Sequence, residues 1–201
     1  MADPARNGIA IVVLAGGAAT RLPHKLEREI APGEPLLERV LRNFDGVRYS
    51  RYVCAGDDAE PAFLSERDVR VLRDRTPHAG PLAALVSACE SLGDDLVFAV
   101  AGDAPRVGAA VLEELIRARR DGDEAVVPVH GATLEPLAAL YARTALIRAG
   151  TLAMESGAAS MHAALERMNV RAHPMHGELF INVNTPDDLR KARAGALMET
   201  L

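Results

Sequence analysis

Ile9-Ala10-Ile11-Val12-Val13-Leu14-Ala15-Gly16-Gly17 sets an unbroken apolar, β-branched run against two adjacent glycines. A strand with one wet face would alternate polar and apolar residues. This run does not, so it predicts a strand over 9–14 covered on both faces, as in a parallel sheet flanked by helices. Leu96-Val97-Phe98-Ala99-Val100-Ala101 has the same character and stops at Gly102-Asp103. Around these two runs, helix and strand patterns take turns. A helix is expected within 34–44, with Leu36, Leu37, Val40 and Leu41 on one face, and short strands over 51–55 and 69–72. Pro81 opens a helix that ends near Gly93, since proline suits a first helical turn. There follow a helix over 108–120, a strand over 125–129 and a strand-like Leu137–Tyr141. Helices over 143–150 and 159–168, a strand over 170–173, a strand-like Glu178–Val183 and a closing helix from about Pro186 complete the chain. The alternation predicts an α/β fold: a three-layer α/β/α, Rossmann-like domain with a mostly parallel, mixed sheet. Neither a Pro/Gly/Ser linker nor an internal repeat interrupts it, so residues 1–201 are expected to form a single domain.

Composition narrows the function. Apolar residues make up 49% and charged residues 25%, enough for a sizeable core and incompatible with a disordered chain. Aromatics are only 3%, with no Trp, and the formal net charge is −5. Both argue against a surface that coats nucleic acid, which needs a basic face and stacking platforms. Cys54 and Cys89 form neither a zinc knuckle nor a disulfide framework, and they lie in apolar runs where buried thiols are expected. The N-terminal residues lack a signal-peptide pattern, and no run of ~18 apolar residues follows. A cytoplasmic protein with no membrane partner is the expectation.

In doubly wound sheets, ligands gather at the carboxyl ends of the strands. After the first strand come Leu14-Ala15-Gly16-Gly17-Ala18-Ala19-Thr20-Arg21-Leu22-Pro23-His24-Lys25. Small residues let backbone N–H groups approach an anion, and Arg21 and Lys25 add positive charge. This suits a nucleoside triphosphate attacked at its α-phosphate, where charge grows on the leaving pyrophosphate. The segment matches neither GxxxxGK[ST] nor GxGxxG; a plain strand–helix turn with solvated charges is the alternative. After the second run, Asp103 in Gly102-Asp103-Ala104-Pro105 is placed to hold Mg²⁺ against phosphate oxygens, or simply serves its turn. Gly80-Pro81 opens a helix whose first N–H groups could face a ligand, and Asp74 upstream is either a guanine-edge acceptor or a solvated charge. Glu135-Pro136-Leu137-Ala138-Ala139-Leu140-Tyr141 reads as an apolar strand reached through a polar turn. In Asn182-Val183-Asn184-Thr185-Pro186-Asp187-Asp188-Leu189, Thr185 is a helix N-cap with Pro186 at the first helical position. Capping leaves Asn182 and Asn184, alternating onto one side, unexplained.

Taken in order, LAGGAATRLPHK, GPLAAL, DAP, EPLAALY and NVNTPDDL resemble the molybdenum cofactor guanylyltransferases. That family carries LAGG-x-S-x-R-M-G-x-D-K, GPLAG, D-x-P, EPL-x-ALY and N-x-NTP-[ED]-[DE]-L. It belongs to the nucleotidyltransferases with a Rossmann-like, glycosyltransferase-A-type sheet, and the likeness runs from Leu14 to Leu189. The resemblance implies transfer of GMP from GTP to the terminal phosphate of molybdopterin, with release of pyrophosphate and with Mg²⁺ as cofactor. It implies that Leu14, Ala15, Gly16 and Gly17 line the nucleotide, that Arg21 and Lys25 meet its phosphates and that Asp74 helps hold GTP. Asp103 would ligate Mg²⁺, and Arg21, Lys25 and Asp103 would carry catalysis. Asn182 and Asn184 would lie towards the pterin. Proteins of molybdenum cofactor synthesis, or acceptor proteins, would be transient partners.

The chain departs from the family pattern at Leu22-Pro23, where relatives have Met-Gly, and the stretch to Lys25 is one residue shorter, with no Asp before it. Proline removes an N–H, so this loop is expected to take its own path. Gly56-Asp57 stands where many relatives have Asn after the second strand, Ala84 replaces the last Gly of GPLAG, and Ser160-Met161 stands where relatives have Ser-Arg. The competing readings are a CTP-dependent cytidylyltransferase acting on molybdopterin or on a sugar or polyol phosphate, and a non-catalytic nucleotide-binding relative. A histidine metal site drawn from His130, His162, His173 and His176 lacks a supporting Cys or carboxylate pair and is set aside.

Overall fold

Along β1 (Ile9–Leu14) the side chains sort by parity. The computed structural model describes residues 8–16, 22, 24–55, 64, 68–73 and 79–198, with side chains as far as residue 194. In it β1 is buried along its whole length. Ile9, Ile11 and Val13 enter one cluster with Leu37, Val40 and Leu112, while Ala10, Val12 and Leu14 enter another with Leu82, Leu85 and Leu146. Period-two geometry puts successive side chains on opposite faces, so a strand apolar at every position needs a helical layer on each side. That layer is present on both.

The elements follow as β2 (Glu29–Ala31), β3 (Glu34–Pro35), α1 (Leu36–Arg42), β4 (Ser50–Ala55), β5 (Arg70–Arg73), α2 (Pro81–Glu90), β6 (Leu96–Ala101) and α3 (Ala109–Ala118). Then come β7 (Ala125–His130), β8 (Thr133–Leu134), β9 (Ala138–Ala142), α4 (Arg143–Glu155), α5 (Met161–Leu165), β10 (Val170–Pro174) and α6 (Pro186–Met198). Among the described residues, eight strands form one sheet in the order β10-β7-β9-β6-β1-β4-β5, with β8 on β7. The β1–β4, β1–β6, β4–β5 and β7–β10 pairs are parallel, whereas β9 runs antiparallel between β6 and β7. The expected mixed, mostly parallel α/β sheet is therefore present. Two antiparallel steps return β7 to the direction of β1, so the carboxyl ends of β1, β4, β6, β7 and β10 share one rim. No helix of the described residues is long and apolar enough to cross a membrane.

Three local expectations are corrected. Glu178–Val183 is not a strand: Gly177–Phe180 is a 3-10 turn and 181–184 pairs with no strand among the described residues. Its buried side chains are Phe180 and Val183, three apart, a spacing that fits a segment laid across the rim and not a pleat. The helix expected within 34–44 starts only at Leu36, because Glu34 and Pro35 pair with Glu29 and Ala31 in a small ribbon. The helix expected over 159–168 shortens to α5, where Ser160 caps by accepting the Ala163 N–H at 3.1 Å. Elsewhere the outcome follows the sequence. Gly80 turns into α2 with φ 92°, a left-handed value that favours glycine, and Pro81 takes the first helical position. Cys54 and Cys89 are buried and form no disulfide, and the charged Arg70–Arg73 forms the sheet edge.

Candidate active site

The rim is built by strand ends held in register beyond the sheet. The Ala15 N–H donates to the Cys54 carbonyl (2.8 Å), and the Gly102 N–H donates to the Leu14 carbonyl (3.0 Å). A Cβ on Gly102 would stand 2.9 Å from that carbonyl oxygen, so glycine lets β1 and β6 stay paired as the chain turns. The Ala104 N–H closes the turn on the Ala101 carbonyl, and Asp103 projects from it. Asp103 is a largely covered carboxylate, its side chain 14% exposed.

Lys25 arrives from the other side. His24 takes a left-handed conformation, φ 53°, and starts the 3-10 turn Lys25–Glu27. This turn brings the lysine to the rim. Its Nζ donates to Asp103 Oδ2 at 2.5 Å and to Asn184 Oδ1 at 2.9 Å. Asn184 is placed by the start of α6. The Thr185 hydroxyl accepts the Asp188 N–H at 3.2 Å, and Asp188 Oδ2 accepts the backbone N–H groups of Asn184 and Thr185. These bonds, led by the one from the Thr185 hydroxyl, hold the Asp188 carboxyl below its usual range. The Val183 N–H donates to the Asp103 carbonyl at 2.9 Å, tying the crossing segment to the turn that carries Asp103.

Of the residues singled out in the sequence, Lys25, Asp103 and Asn184 therefore meet in one cluster. Leu14 is buried, Ala15 half-buried and Gly16 exposed at the end of β1. Because the Ala15 N–H is engaged by Cys54, backbone donors for an anion start at Gly16. Asn182 is exposed and forms no hydrogen bond among the described residues, while Asn184 sits on the lysine. Gly17, Arg21, Pro23, Gly56, Asp57 and Asp74 lie outside the described residues. Two features were not legible from spacing. His130 Nε2 pairs with Glu135 Oε1 at 2.8 Å, and the buried Tyr141 hydroxyl donates to the Pro136 carbonyl at 2.7 Å. The Glu135–Tyr141 motif was the signal, but only the fold shows what it braces. His173 pairs with Glu114 at 2.8 Å, and no group of three His, Cys, Asp or Glu side chains among the described residues could hold a metal.

The donor set nevertheless fits a hard divalent ion that arrives on phosphate. Mg²⁺ keeps most of its shell from water and substrate oxygens and needs only one or two carboxylates. Asp103 supplies one, and its Oδ1 makes no hydrogen bond among the described residues.

The model of the MobA-like NTP transferase domain matches residues 11–191. A Natronomonas pharaonis protein named "Probable molybdenum cofactor guanylyltransferase" is 31% identical over 197 residues, covering 90% of this chain and 95% of that protein. One of the same name from Opitutus terrae is 31% identical over 205 residues, covering 93% and 96%. The crystal structure of molybdopterin-guanine dinucleotide biosynthesis protein A from Archaeoglobus fulgidus superposes with a TM-score of 0.76 at 27% identity, covering 94% of this chain and 99% of that one. The chain belongs to the MobA-like NTP transferase family and is a nucleotidyltransferase.

Proposed function

We propose that the chain is a single-domain guanylyltransferase that transfers GMP from GTP to the phosphate of molybdopterin and releases pyrophosphate, with Mg²⁺ as cofactor. The observation that carries this reading is the meeting of Lys25, Asp103 and Asn184 where β1 and β6 end. The guanylyltransferase names of the relatives support the choice of nucleotide and acceptor. Two buried thiols outside any disulfide fit a cytoplasmic setting.

An acceptor phosphate oxygen attacks the α-phosphorus of GTP in line. The bond to the bridging oxygen of the β-phosphate breaks, and its electron pair leaves with pyrophosphate. A phosphate dianion is already a competent nucleophile, so the protein contributes position and charge and needs no strong base. The Lys25 ammonium has three donors, two of them held by Asp103 and Asn184; the third remains for a phosphate oxygen. Arg21 adds a second cation, and Gly16 and Gly17 let backbone donors approach. Leu14 and Ala15 form the floor beneath the nucleotide, and Asp74 accepts from the guanine edge. Asp103 would hold Mg²⁺, which neutralises charge on the phosphates when bound. Asn182 faces the acceptor side.

The test is thermal stabilisation by GTP, CTP, ATP and UTP, each with and without Mg²⁺, followed by pyrophosphate release with molybdopterin. A ligand at 100 times its Kd stabilises the fold by about 2.7 kcal/mol. Stabilisation by GTP alone, strengthened by Mg²⁺, is expected. A preference for CTP makes the chain a cytidylyltransferase, and no response to any nucleotide makes it a non-catalytic relative.

A further inference from the structure

The rim carries a second polar group, on the far side of β6 from β1. His130 ends β7, and Glu135 follows the short β8. Their side chains, 34% and 21% exposed, are joined by the 2.8 Å bond from His130 Nε2 to Glu135 Oε1. Everything around this pair fixes it. The His130 ring lies nearly parallel to Phe180, at 12° with centroids 5.9 Å apart. A Cβ on Gly177 would come within 2.8 Å of His130 Nδ1, so a larger residue there would displace the ring. The Glu135 N–H donates to the Pro128 carbonyl, the Ala138 N–H donates to the Glu135 carbonyl, and Tyr141 pins Pro136. Oε2 of Glu135 makes no hydrogen bond among the described residues.

The spacing to the Lys25–Asp103 cluster is set by the crossing segment. Phe180 rests on His130, and the Val183 N–H bonds to the Asp103 carbonyl. Three residues of chain bridge those points, at most about 11 Å. The Ala101 N–H also donates to the Leu137 carbonyl, so Asp103 and Glu135 each stand two residues from that bond, and a molecule whose phosphate sits at Asp103 and whose flat ring points along the rim can reach Glu135. A carboxylate with one oxygen braced and one open accepts two parallel N–H donors well.

We propose that Glu135 recognises the acceptor. Its carboxylate takes the adjacent N3–H and 2-amino donors of a pterin ring, and His130 is a positioning residue that fixes its rotamer. The proposal rests on the reading of the acceptor as a pterin phosphate. It gives the Glu135–Tyr141 motif a function beyond closing the β7–β8 hairpin.

The experiment measures binding of 6-hydroxymethylpterin by its own fluorescence, which the Trp-free chain does not obscure. The nucleotide site is kept filled with a GTP analogue methylene-bridged between its α- and β-phosphates. Lumazine, which keeps N3–H but has a carbonyl in place of the 2-amino group, is the competitor that cannot offer a carboxylate two adjacent donors. Wild type is expected to favour the pterin at least tenfold. Glu135→Gln should remove that preference without moving the GTP-analogue affinity, Glu135→Asp should keep part of it, and His130→Gln should reduce it severalfold. A folded Glu135→Gln that still prefers the pterin tenfold overturns the proposal and leaves the pair a hairpin clasp. If that variant does not fold, Glu135→Asp with unchanged preference has the same force. Wild type that binds neither ring overturns the pterin reading itself, whereas wild type that binds both equally overturns only the role of Glu135.

Discussion

Lys25 and Asp103 are 78 positions apart in sequence and 2.5 Å apart in space, and each depends on the other. Asp103→Ala should leave the fold intact and reduce pyrophosphate release by at least 100-fold, the scale on which removal of one preorganised electrostatic contact is felt. An active variant would remove the metal role assigned to this carboxylate. Lys25→Ala should lower turnover strongly, and turnover equal to wild type would show that the ammonium does not reach the phosphates. Asp103 was visible in sequence as a carboxylate closing an apolar run, and Lys25 as a cation after a glycine-rich turn. Their pairing was not visible, because it depends on the left-handed turn at His24. Neither was Asn184 as the lysine's partner, because strand-like alternation grouped it with Asn182.

The segment from Gly177 to Pro186 shows how one connection can organise a rim. Its apolar Leu179-Phe180-Ile181 run made 178–183 read as strand-like, yet the sheet already has β10 at that edge, and the chain must cross back from β10 towards α6. It spends its backbone donors on the rim, with the Val183 N–H on Asp103. The Thr185 cap then orients α6 and Asn184 together. Thr185→Ala should lower stability by about 1 kcal/mol, the usual cost of losing an N-cap, read as a fall in Tm. It should also weaken turnover, because Asn184 loses its support; a lower Tm with unchanged activity would separate the cap from the site. Gly102→Ala tests the opposite wall. Its Cβ would press on the Leu14 carbonyl at 2.9 Å, so β1 and β6 must part, and both Tm and nucleotide affinity should fall.

Two ion-pair systems brace the periphery of the fold, one at the β7–β10 edge of the sheet and one between the β2–β3 ribbon and α1. Asp123, just before β7, is bound by Arg171 of β10, whose side-chain bond is the first of the causes that hold its carboxyl below the usual range. Glu34 is covered and gripped by Arg39 and Arg42, led by the Arg39 bond, and is lowered as well. A carboxyl depressed in the folded state adds stability that is complete above the unfolded pKa and is lost as pH falls through the folded one. Tm should therefore stay level from neutral pH to the ordinary carboxylate range, near pH 4, and drop below it. Asp123→Asn should blunt that drop, and a Tm that rose on acidification would contradict it. The buried thiols give a second check. Burial pushes Cys89 up to about 12, so an aromatic disulfide reagent at pH 8 should label it only after unfolding.

Period and punctuation alone determined that this chain alternates strand and helix, that β1 and β6 are covered on both faces, and which residues stand at the ends of those strands. Those are consequences of local pattern: an all-apolar strand has no stable place except between two layers, and a glycine or proline acts where it stands. The antiparallel insertion of β9, the crossing of 177–184 over the rim, the Lys25–Asp103–Asn184 cluster and the His130–Glu135 pair were settled only when the chain folded. Each depends on which strands become neighbours, and that is decided by long-range packing and hydrogen bonding between segments whose own sequences carry no record of their partners.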